Sequence, residues 1–368
     1  MKIVRIGEPT VVMSNPKSQH NYFGWPTAAR LQNGKIAVVA SGFRLAHVCP
    51  FGKTVISYSE DEGQTYTPPT PIIDTSLDDR DGGIVPFGES GVIVTSFNNT
   101  RSFQRNYWRG VSAYSLAYLD TVTDEDEARD LGVTFRLSHD GGESFGGIMK
   151  SPVTSPHGPI PLDDGTLLWV GRTFSSDDAP MENDRIEAHR LFPDGRMELV
   201  GAIPDAILDG QRLLSCEPHG IVLEDGSILV HIRAQERTKG EERAFTLFQT
   251  VSHDGGKSWE TPYPILSRKG GAPSHLFRHS SGLLIATYGD RGKPSGIKAM
   301  FSRDEGKTWD TGYDLYVNGM GPDLGYPSTV ECADGSLLTV FYAHLAEDAP
   351  AVILQQKWKF EEEEGCIT

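Results

Sequence analysis

One eight-residue pattern, Ser-x-Asp-x-Gly-x-(Thr/Ser)-aromatic, occurs four times along this sequence of 368 residues. The copies are residues 59–66, 138–145, 252–259 and 302–309. In each copy the Asp side chain can accept backbone N–H bonds inside a turn, and the Gly supplies a positive φ. The aromatic residue can then pack back onto the flanking strands, which is typical of a hairpin turn. Four copies with the same internal spacing indicate a repeated β-structure.

A longer repeat underlies this pattern. Six Gly-containing turns each precede a short apolar run, and the intervals between the glycines range from 53 residues (282 to 335) to 74 residues (91 to 165). Because short β-branched or mixed apolar runs are typical of buried strands, each run is predicted to be the innermost strand of one unit. The six runs are residues 35–40, 92–97, 166–171, 227–232, 283–288 and 336–342.

Six such units predict an all-β fold, a six-bladed β-propeller formed by residues 1–368 as a single domain. A degenerate turn at Pro193-Asp194-Gly195 is expected in the third unit, and the strand-like segment from Lys2 to Met13 is expected to complete the sixth. The second unit carries an insertion at residues 101–131. It predicts a short acidic helix near residues 123–129 and an aromatic, basic loop, residues 105–109, over the mouth of a pocket.

Charge and cysteine content limit the partners and the compartment. The formal net charge of −16 disfavours nucleic acid and anionic membranes as partners. No apolar run approaches a membrane span, and the charged N-terminal residues do not fit a signal peptide, so a cytoplasmic location is expected. The four cysteines form no CxxC pair, which argues against a zinc site or a disulfide framework. No cofactor is predicted.

Polar and aromatic residues recur just ahead of the predicted inner strands. In a propeller these positions converge on the central axis, where a purely structural ring would favour small or apolar residues. Titratable groups repeated at that level therefore predict a functional site in the funnel. The residues are Trp25, Arg80, Asp81, His157, Glu217, His219, His275 and Tyr326.

The eight-residue pattern resembles the Asp-boxes of the sialidase superfamily, which usually lie in hairpins on the outer part of propeller blades. Three further segments are similar to catalytic segments of that family: Glu217-Pro218 with the strand ending at Arg233, Tyr288-Gly289-Asp290-Arg291, and Gly325-Tyr326-Pro327-Ser328. The resemblance implies a sialidase-like propeller in which Tyr326 is the nucleophile and Glu217 its general base. It also implies that Arg233 and Arg291 bind a substrate carboxylate through forked hydrogen bonds.

The sequence departs from the family at two positions. Where sialidases carry an Arg-Ile-Pro element this chain has Gly24-Trp25-Pro26, and the loop at residues 42–50 lacks the family's acid/base Asp. Arg44 and Arg80 are therefore candidates for further substrate-binding arginines, and His47 and Asp81 are candidates for the acid. Trp25 is predicted to stack on a sugar face, with packing inside the blade as the alternative.

Three histidines of the funnel lie outside the sialidase pattern. His157, His219 and His275 are predicted to contact the substrate, and no metal is assigned. A metal site and a histidine-based acid/base site are the alternatives for three histidines on adjacent blades.

Three functions are compatible with this set of residues. The preferred one is a glycoside hydrolase that removes a terminal sugar, expected to be acidic, from a glycan or oligosaccharide. The first alternative is a lyase in which His or Tyr abstracts the proton α to a uronate carboxylate that arginine neutralises. The second is a non-catalytic carbohydrate-binding propeller. In each case the expected partner is a carbohydrate.

Overall fold

The computed structural model describes residues 1–107, 111–174, 184–237 and 243–362, and its main sheets form the six blades of a β-propeller. The chain begins with β1 (Lys2–Met13), which belongs to the last blade. Blade 1 contains β2 (Tyr22–Arg30), β3 (Ile36–Arg44), β4 (Lys53–Ser59) and β5 (Thr70–Ile73). Blade 2 contains β6 (Arg80–Phe87), β7 (Gly91–Phe97), β8 (Val133–Ser138) and β9 (Met149–Ser151).

The other four blades follow in chain order, and within each blade neighbouring strands are antiparallel. Blade 3 contains β10 (Val153–Thr154), β11 (Ile160–Pro161), β12 (Leu167–Thr173), β13 (Ile186–Leu191) and β14 (Met197–Ile203), and a small ribbon of β15 (Ile207–Leu208) and β16 (Gln211–Arg212) follows it. Blade 4 contains β17 (Leu214–Val222), β18 (Ile228–Gln235), β19 (Phe245–Ser252) and β20 (Tyr263–Pro264). Blade 5 contains β21 (Ser274–Arg278), β22 (Leu284–Asp290), β23 (Ser295–Ser302) and β24 (Asp310–Gly319). Blade 6 contains β25 (Gly325–Glu331), β26 (Leu337–His344), β27 (Ala351–Glu361) and β1.

The ring is closed by the two ends of the chain. β1 pairs antiparallel with β27, with Lys2 opposite Glu361 and Val11 opposite Leu354. The outer strand of blade 6 therefore comes from the N-terminal segment, as the sequence predicted.

The innermost strand of each blade is the strand before the Gly-containing turn. β2, for example, is the free edge of its sheet and packs against β6 and β25 of the neighbouring blades. The sequence predicted that the strand after the turn is the innermost one, and this prediction was wrong. That strand lies second, between two partners, and is buried on both faces, which makes its sequence the more continuously apolar one.

The four repeated turns have the predicted geometry. In the first, the Asp61 carboxylate accepts the Thr65 N–H at 2.8 Å and the Thr65 hydroxyl at 2.6 Å, and Gly63 has a φ of 81°. The carboxylates of the other three turns accept the same two bonds; these residues are Asp140, Asp254 and Asp304. Pro193-Asp194-Gly195 occupies the corresponding place between β13 and β14.

Side chains of one blade hold the turn of the next. The Tyr58 hydroxyl of blade 1 donates to Gly142 O at 2.8 Å, and Gln249 of blade 4 donates to Gly306 O at 2.9 Å. Gln355 of blade 6 donates to Gly63 O at 2.6 Å. These bonds satisfy turn carbonyls that lie between blades, and apolar clusters pack beside them. Trp169, Trp358 and Phe248 are among the largest fully buried side chains.

The insertion of blade 2 contains three short helices, α1 (Arg101–Arg105), α2 (Ala113–Leu119) and α3 (Asp124–Asp130). α3 is the predicted acidic helix, and Thr123 and Asp126 form its capping box. Of the predicted loop over the pocket mouth, Tyr107 lies parallel to His47 with the ring centroids 6.2 Å apart, whereas residues 108 and 109 are outside the described part of the chain. No helix in the described residues is long and apolar enough to cross a membrane.

Candidate active site

Four inner strands carry the same irregularity at the same level. β2, β6, β17 and β25 each shift register by a bulge, and the bulged residue is a non-glycine with positive φ. These residues are Trp25 (φ 53°), Asp81 (52°), Glu217 (51°) and Tyr326 (50°). Such a conformation costs roughly 1–2 kcal/mol per residue, and strain of this kind is concentrated at functional sites.

Glu217 and Tyr326 meet across the funnel from blades 4 and 6. The Tyr326 hydroxyl donates to Glu217 Oε1 at 2.7 Å. Arg233 Nη1, from the second strand of blade 4, donates to both Glu217 oxygens at 2.6 and 2.7 Å and lies 3.4 Å from the Tyr326 hydroxyl. The three residues, which the sequence placed on two separate segments, thus form one hydrogen-bonded group.

The electrostatics of this group keep Glu217 ionised and Tyr326 neutral. Burial alone would raise the pKa of the Glu217 carboxyl, but the charge and hydrogen bonds of Arg233 lower it below its usual value. Burial, followed by the charges of Glu217 and Asp81, raises the pKa of the Tyr326 hydroxyl well above its usual value. The phenol therefore keeps its proton at neutral pH and directs it at a carboxylate.

Asp81 is a second carboxyl, and its pKa is shifted in the direction opposite to that of Glu217. Burial raises its pKa to about 7, against the lowering effect of Arg80, and the Glu217 charge raises it further. Among the described residues, Asp81 Oδ1 and Arg80 Nε are both buried without a hydrogen-bond partner, and they lie 3.9 Å apart. Since buried polar atoms are normally paired, these two atoms are an exception, and each has the other as its nearest opposite charge in the ion pair.

Two further arginines approach the group from blades 4 and 5. Arg291 and Arg243 lie with their guanidinium carbons 5.3 and 6.0 Å from the centroid of the Phe245 ring, and Arg233 lies 4.7 Å from it. Arg291 Nε donates to Leu324 O at 3.3 Å. Within the described ranges neither Arg291 nor Arg243 has a carboxylate partner. Arg243 could not be identified from the sequence, because its position just before a third strand carries no motif.

Positive charge accumulates at this point of an otherwise acidic protein. Burial, together with the charges of Arg233 and Arg291, lowers the pKa of the Arg243 guanidinium. An anionic ligand would relieve this repulsion, because only Arg233 of the three has a carboxylate beside it.

A cavity of about 380 Å³ opens beside these residues. Asp81, Glu217, Arg233 and Gln235 line it, together with residues that include Asn99, Arg172, Phe174, Asp184 and Arg237. Its size fits a small ligand such as one or two sugar rings. A larger cavity of about 720 Å³ lies between β1 and the first repeated turn, on the outer edge of the ring, and none of the predicted site residues lines it.

Arg44 does not reach this cavity, which corrects its prediction as a substrate-binding residue. Its guanidinium is fully buried, pairs with Asp78 at 2.6 Å and donates to Ser41 Oγ at 2.7 Å. A Cβ on Gly52 would lie 2.1 Å from Arg44 Nη1, so the glycine leaves the space that the guanidinium fills. Arg44 contacts the ring of Trp25, whose centroid lies 4.9 Å from its guanidinium carbon.

Trp25 is also buried, and its prediction as a sugar-stacking platform was wrong. Only 2% of the residue is exposed. Its ring lies between two guanidinium groups, with Arg80 4.3 Å and Arg44 4.9 Å from the ring centroid. Trp25 therefore holds Arg80 by a cation–π contact and leaves no face for a sugar.

The three funnel histidines, predicted to contact the substrate, hydrogen-bond from blade to blade, and none of them lines the cavity of about 380 Å³. His219 Nδ1 accepts the Leu276 N–H at 2.9 Å, and His275 Nδ1 accepts the Thr329 N–H at 3.3 Å. His157 Nδ1 lies 3.1 Å from the Thr27 hydroxyl. Each bond runs from one blade to another, and the three imidazole rings contact one another, with centroids 4.5 to 5.4 Å apart.

The same bonds do not favour the metal alternative for these histidines. A nitrogen that accepts a backbone N–H carries no proton, so neutral His219 and His275 each carry theirs on Nε2, the nitrogen left for a metal. Burial lowers the pKa of the His219 imidazole to about 3, which keeps the ring neutral. Among the described residues no group of three or more His, Cys, Asp or Glu side chains is arranged to hold a metal ion.

His47 lies beside Trp25, with the ring centroids 4.9 Å apart, and its Nδ1 is 3.0 Å from Asp323 Oδ1. Burial lowers the pKa of its imidazole to about 4, against the raising effect of Asp323. His47 is therefore neutral at physiological pH and cannot serve as the acid that the sequence analysis proposed. Asp81, with its raised pKa, remains the candidate for the acid. Asp323 was missed because its four donors come from distant parts of the chain.

These observations define a sialidase-like six-bladed β-propeller with a buried Tyr–Glu–Arg group in its funnel. Residues 110–339 match the family model described as the BNR repeat-like domain. The match covers more than half of the chain, and the protein belongs to this family. No curated protein matches the sequence.

Several solved structures share the fold. A protein of unknown function from Dyadobacter fermentans has 18% identity and a TM-score of 0.74, with 98% of this chain and 99% of that chain covered. The NanB sialidase from Streptococcus pneumoniae has 12% identity and a TM-score of 0.64, with 95% and 70% covered. The α-L-arabinanase of Penicillium chrysogenum, complexed with arabinobiose, has 13% identity and a TM-score of 0.61, with 96% and 98% covered. At these identities the likeness concerns the fold alone.

Proposed function

We propose that this protein is a glycoside hydrolase that removes a terminal acidic sugar from a glycan, with Tyr326 as nucleophile, Glu217 as its base and Asp81 as the acid. The observation that carries the proposal is the 2.7 Å hydrogen bond from the Tyr326 hydroxyl to an ionised Glu217, next to a second carboxyl whose pKa is shifted the other way. Two titratable groups with opposed pKa shifts are the pattern expected of an acid and a base.

In the first step Tyr326 Oη forms a bond to the anomeric carbon while the bond to the leaving oxygen breaks. The phenolic proton passes to Glu217, and the Asp81 proton passes to the leaving oxygen. Because the pKa of Tyr326 is raised and that of Glu217 is lowered, the phenolic proton must transfer as the new bond forms, not before it. A neutral phenol also approaches an anionic sugar without charge repulsion.

In the second step water replaces Tyr326 at the anomeric carbon. The phenolic oxygen recovers its proton from Glu217, and a base takes the proton that the water loses. Two displacements at the same carbon retain its configuration. The step yields the free sugar and returns Tyr326 to its starting state.

The arginines support an acidic substrate. Arg291 and Arg243 carry no carboxylate partner within the described residues, and the guanidinium carbons of both lie within 6.0 Å of the centroid of the Phe245 ring, as does that of Arg233. A sugar carboxylate placed among them would accept forked hydrogen bonds. Neutral sugars would leave the positive charges uncompensated.

The proposal is tested with 4-methylumbelliferyl glycosides of N-acetylneuraminic acid, glucuronic acid and arabinose. Tyr326→Phe should lower turnover of the acidic glycoside by roughly 10³-fold, because the nucleophile is lost while the ring that packs in the funnel remains. Tyr58→Phe is the matched control, since its hydroxyl binds a turn carbonyl far from the cavity. A fluorinated acidic glycoside should leave one sugar on the Tyr326 peptide in mass spectrometry.

The outcomes separate the three candidate functions. Release of a reducing sugar with the adduct on Tyr326 supports the hydrolase. Unsaturated uronate absorbing in the near ultraviolet identifies the lyase and overturns the proposal. Binding without turnover, unchanged in Glu217→Gln, identifies a carbohydrate-binding propeller. Turnover within threefold of the original protein in Tyr326→Phe rejects the tyrosine mechanism.

A further inference from the structure

A second polar cluster adjoins the site and has no part in the first step. The Asp323 carboxylate, in the loop before β25, accepts hydrogen bonds from the Tyr22 hydroxyl at 2.9 Å and the Tyr342 hydroxyl at 3.0 Å. His47 Nδ1 lies 3.0 Å and His344 Nε2 3.1 Å from the same carboxylate. These four groups come from blades 1 and 6. Their hydrogen bonds lower the pKa of Asp323, so the cluster contains a fixed negative charge.

The hydrogen bonds determine which nitrogen of His47 carries the proton. The Tyr22 hydroxyl gives its own proton to Asp323, so its oxygen can only accept from His47 Nδ1, 3.2 Å away. Both neighbours of Nδ1 are thus acceptors, and Nδ1 carries the proton. Nε2 is left with a lone pair, and the part of the chain that the structure describes supplies no hydrogen-bond partner for it. The side chain is 25% exposed, so Nε2 is available to a ligand.

Trp25 connects His47 to the reacting group. Its ring contacts Trp25 edge-on, and Trp25 lies 6.5 Å, between ring centroids, from Tyr326. The other groups that face His47 are Tyr107, whose ring runs parallel to it, and the guanidinium groups of Arg80 and Arg44, which adjoin Trp25.

We propose that His47 is the general base of the second step, taking a proton from the attacking water, and that Asp323 is its positioning residue. The inference rests on the proposed hydrolase function. His47 Nε2 gains the proton that the water loses as the bond from the anomeric carbon to Tyr326 Oη breaks. The imidazolium then passes this proton through solvent to Asp81, which gave up its own in the first step. Both groups return to their starting states, and the balance needs no other reactant.

The charge distribution around His47 suits this role. Asp323 stabilises the imidazolium, whereas burial and the cations Arg80 and Arg44 oppose it, so the ring is neutral before the step and protonated only briefly. Asp81 is the rival base, since it is ionised once the first step is complete. His47 and Asp81 can be distinguished with an activated leaving group. Such a group departs without an acid, so loss of either residue then affects the second step only if that residue is the base.

The first arm of the test measures His47 directly by nitrogen-15 NMR on the intact, histidine-labelled protein. The expected spectrum shows the proton on Nδ1 and a titration midpoint of about 4. Asp323→Asn should move the midpoint down and Arg80→Gln should move it up, because the first removes an anion and the second a cation. A proton on Nε2 at neutral pH, or a midpoint that neither variant moves, overturns the proposal.

The second arm follows the release of 4-nitrophenol from an acidic 4-nitrophenyl glycoside in the first turnover and at steady state. His47→Gln should release one equivalent in a burst and accumulate the Tyr326 adduct, with steady-state turnover at least roughly tenfold slower. Added imidazole should restore turnover in His47→Ala. His20→Gln is the matched control, since His20 binds Phe43 O outside the cluster.

The outcomes of the two arms are distinct. A burst in Asp81→Asn but not in His47→Gln assigns the base to Asp81 and overturns the proposal, as does a loss of steady-state turnover in His47→Gln without a burst. Absence of the Tyr326 adduct from every variant refutes the hydrolase mechanism itself. If the Tyr326 adduct accumulates no more in His47→Gln than in the original protein, only the assignment of the base is refuted.

Discussion

Asp81→Asn is predicted to change how the stability of the protein depends on pH. Burial raises the pKa of the Asp81 carboxyl from 3.8 to about 7, so between these values the folded protein binds the proton more tightly than the unfolded chain does. The contribution of the Asp81 carboxyl to the stability of the fold is therefore fully present at low pH and is lost as the pH rises. The reason is that ionising the carboxyl inside the funnel costs more free energy than ionising it in water. Asparagine has the same shape and no charge, and it removes this loss.

The magnitude follows from the size of the shift. At 1.36 kcal/mol per pK unit, a shift of about 3 units corresponds to roughly 4 kcal/mol at full ionisation, of which roughly 2–3 kcal/mol develops between pH 5 and pH 8. Urea unfolding of the original protein and of Asp81→Asn at both pH values measures it. The advantage of the variant in free energy of unfolding should be larger at pH 8 by that amount.

Asp79 is a second buried carboxyl with a raised pKa. Burial also raises the pKa of Asp79 to about 7, but Asp79 is present in both proteins and its contribution cancels in the difference. If the advantage of Asp81→Asn is the same at pH 5 and pH 8, Asp81 is not held neutral by burial. Its assignment as the acid would then lose its physical basis.

Three further predictions concern the same molecule. The pH profile of kcat/KM should be bell-shaped, falling below the pKa of Glu217 and above pH 7, where Asp81 ionises; a basic limb that persists in Asp81→Asn with an activated substrate would contradict this. Arg291→Met and Arg243→Met should each raise KM for an acidic glycoside roughly tenfold and leave the urea midpoint unchanged, and an equal effect on a neutral glycoside would remove the carboxylate site. Asp304→Ala should lower the free energy of unfolding by roughly 1–2 kcal/mol through its lost turn bonds, with no effect on KM, and an unchanged urea midpoint would show that the turn contributes no stability.

Much of the architecture could be predicted from local sequence. The repeated turn encodes its own hydrogen bonds, since Asp304 and Thr308 are four residues apart, and six repeats of strand and turn close into a ring. The order of strands within a blade was the exception. A continuous apolar run identifies a strand buried on both faces, and in this propeller that is the second strand, because the innermost one lines a polar funnel.

The sequence by itself determined at which position of each repeat the candidate site residues lie. Asp81, Glu217 and Tyr326 occupy equivalent places in their repeats, and radial symmetry brings equivalent places together. The environment of each side chain was decided only by the tertiary structure, because burial and charge pairing depend on residues far apart in the chain. Asp323 and Tyr22, 301 positions apart, share a hydrogen bond, and it is contacts of this range that decide the charge state of His47, which the sequence could not predict.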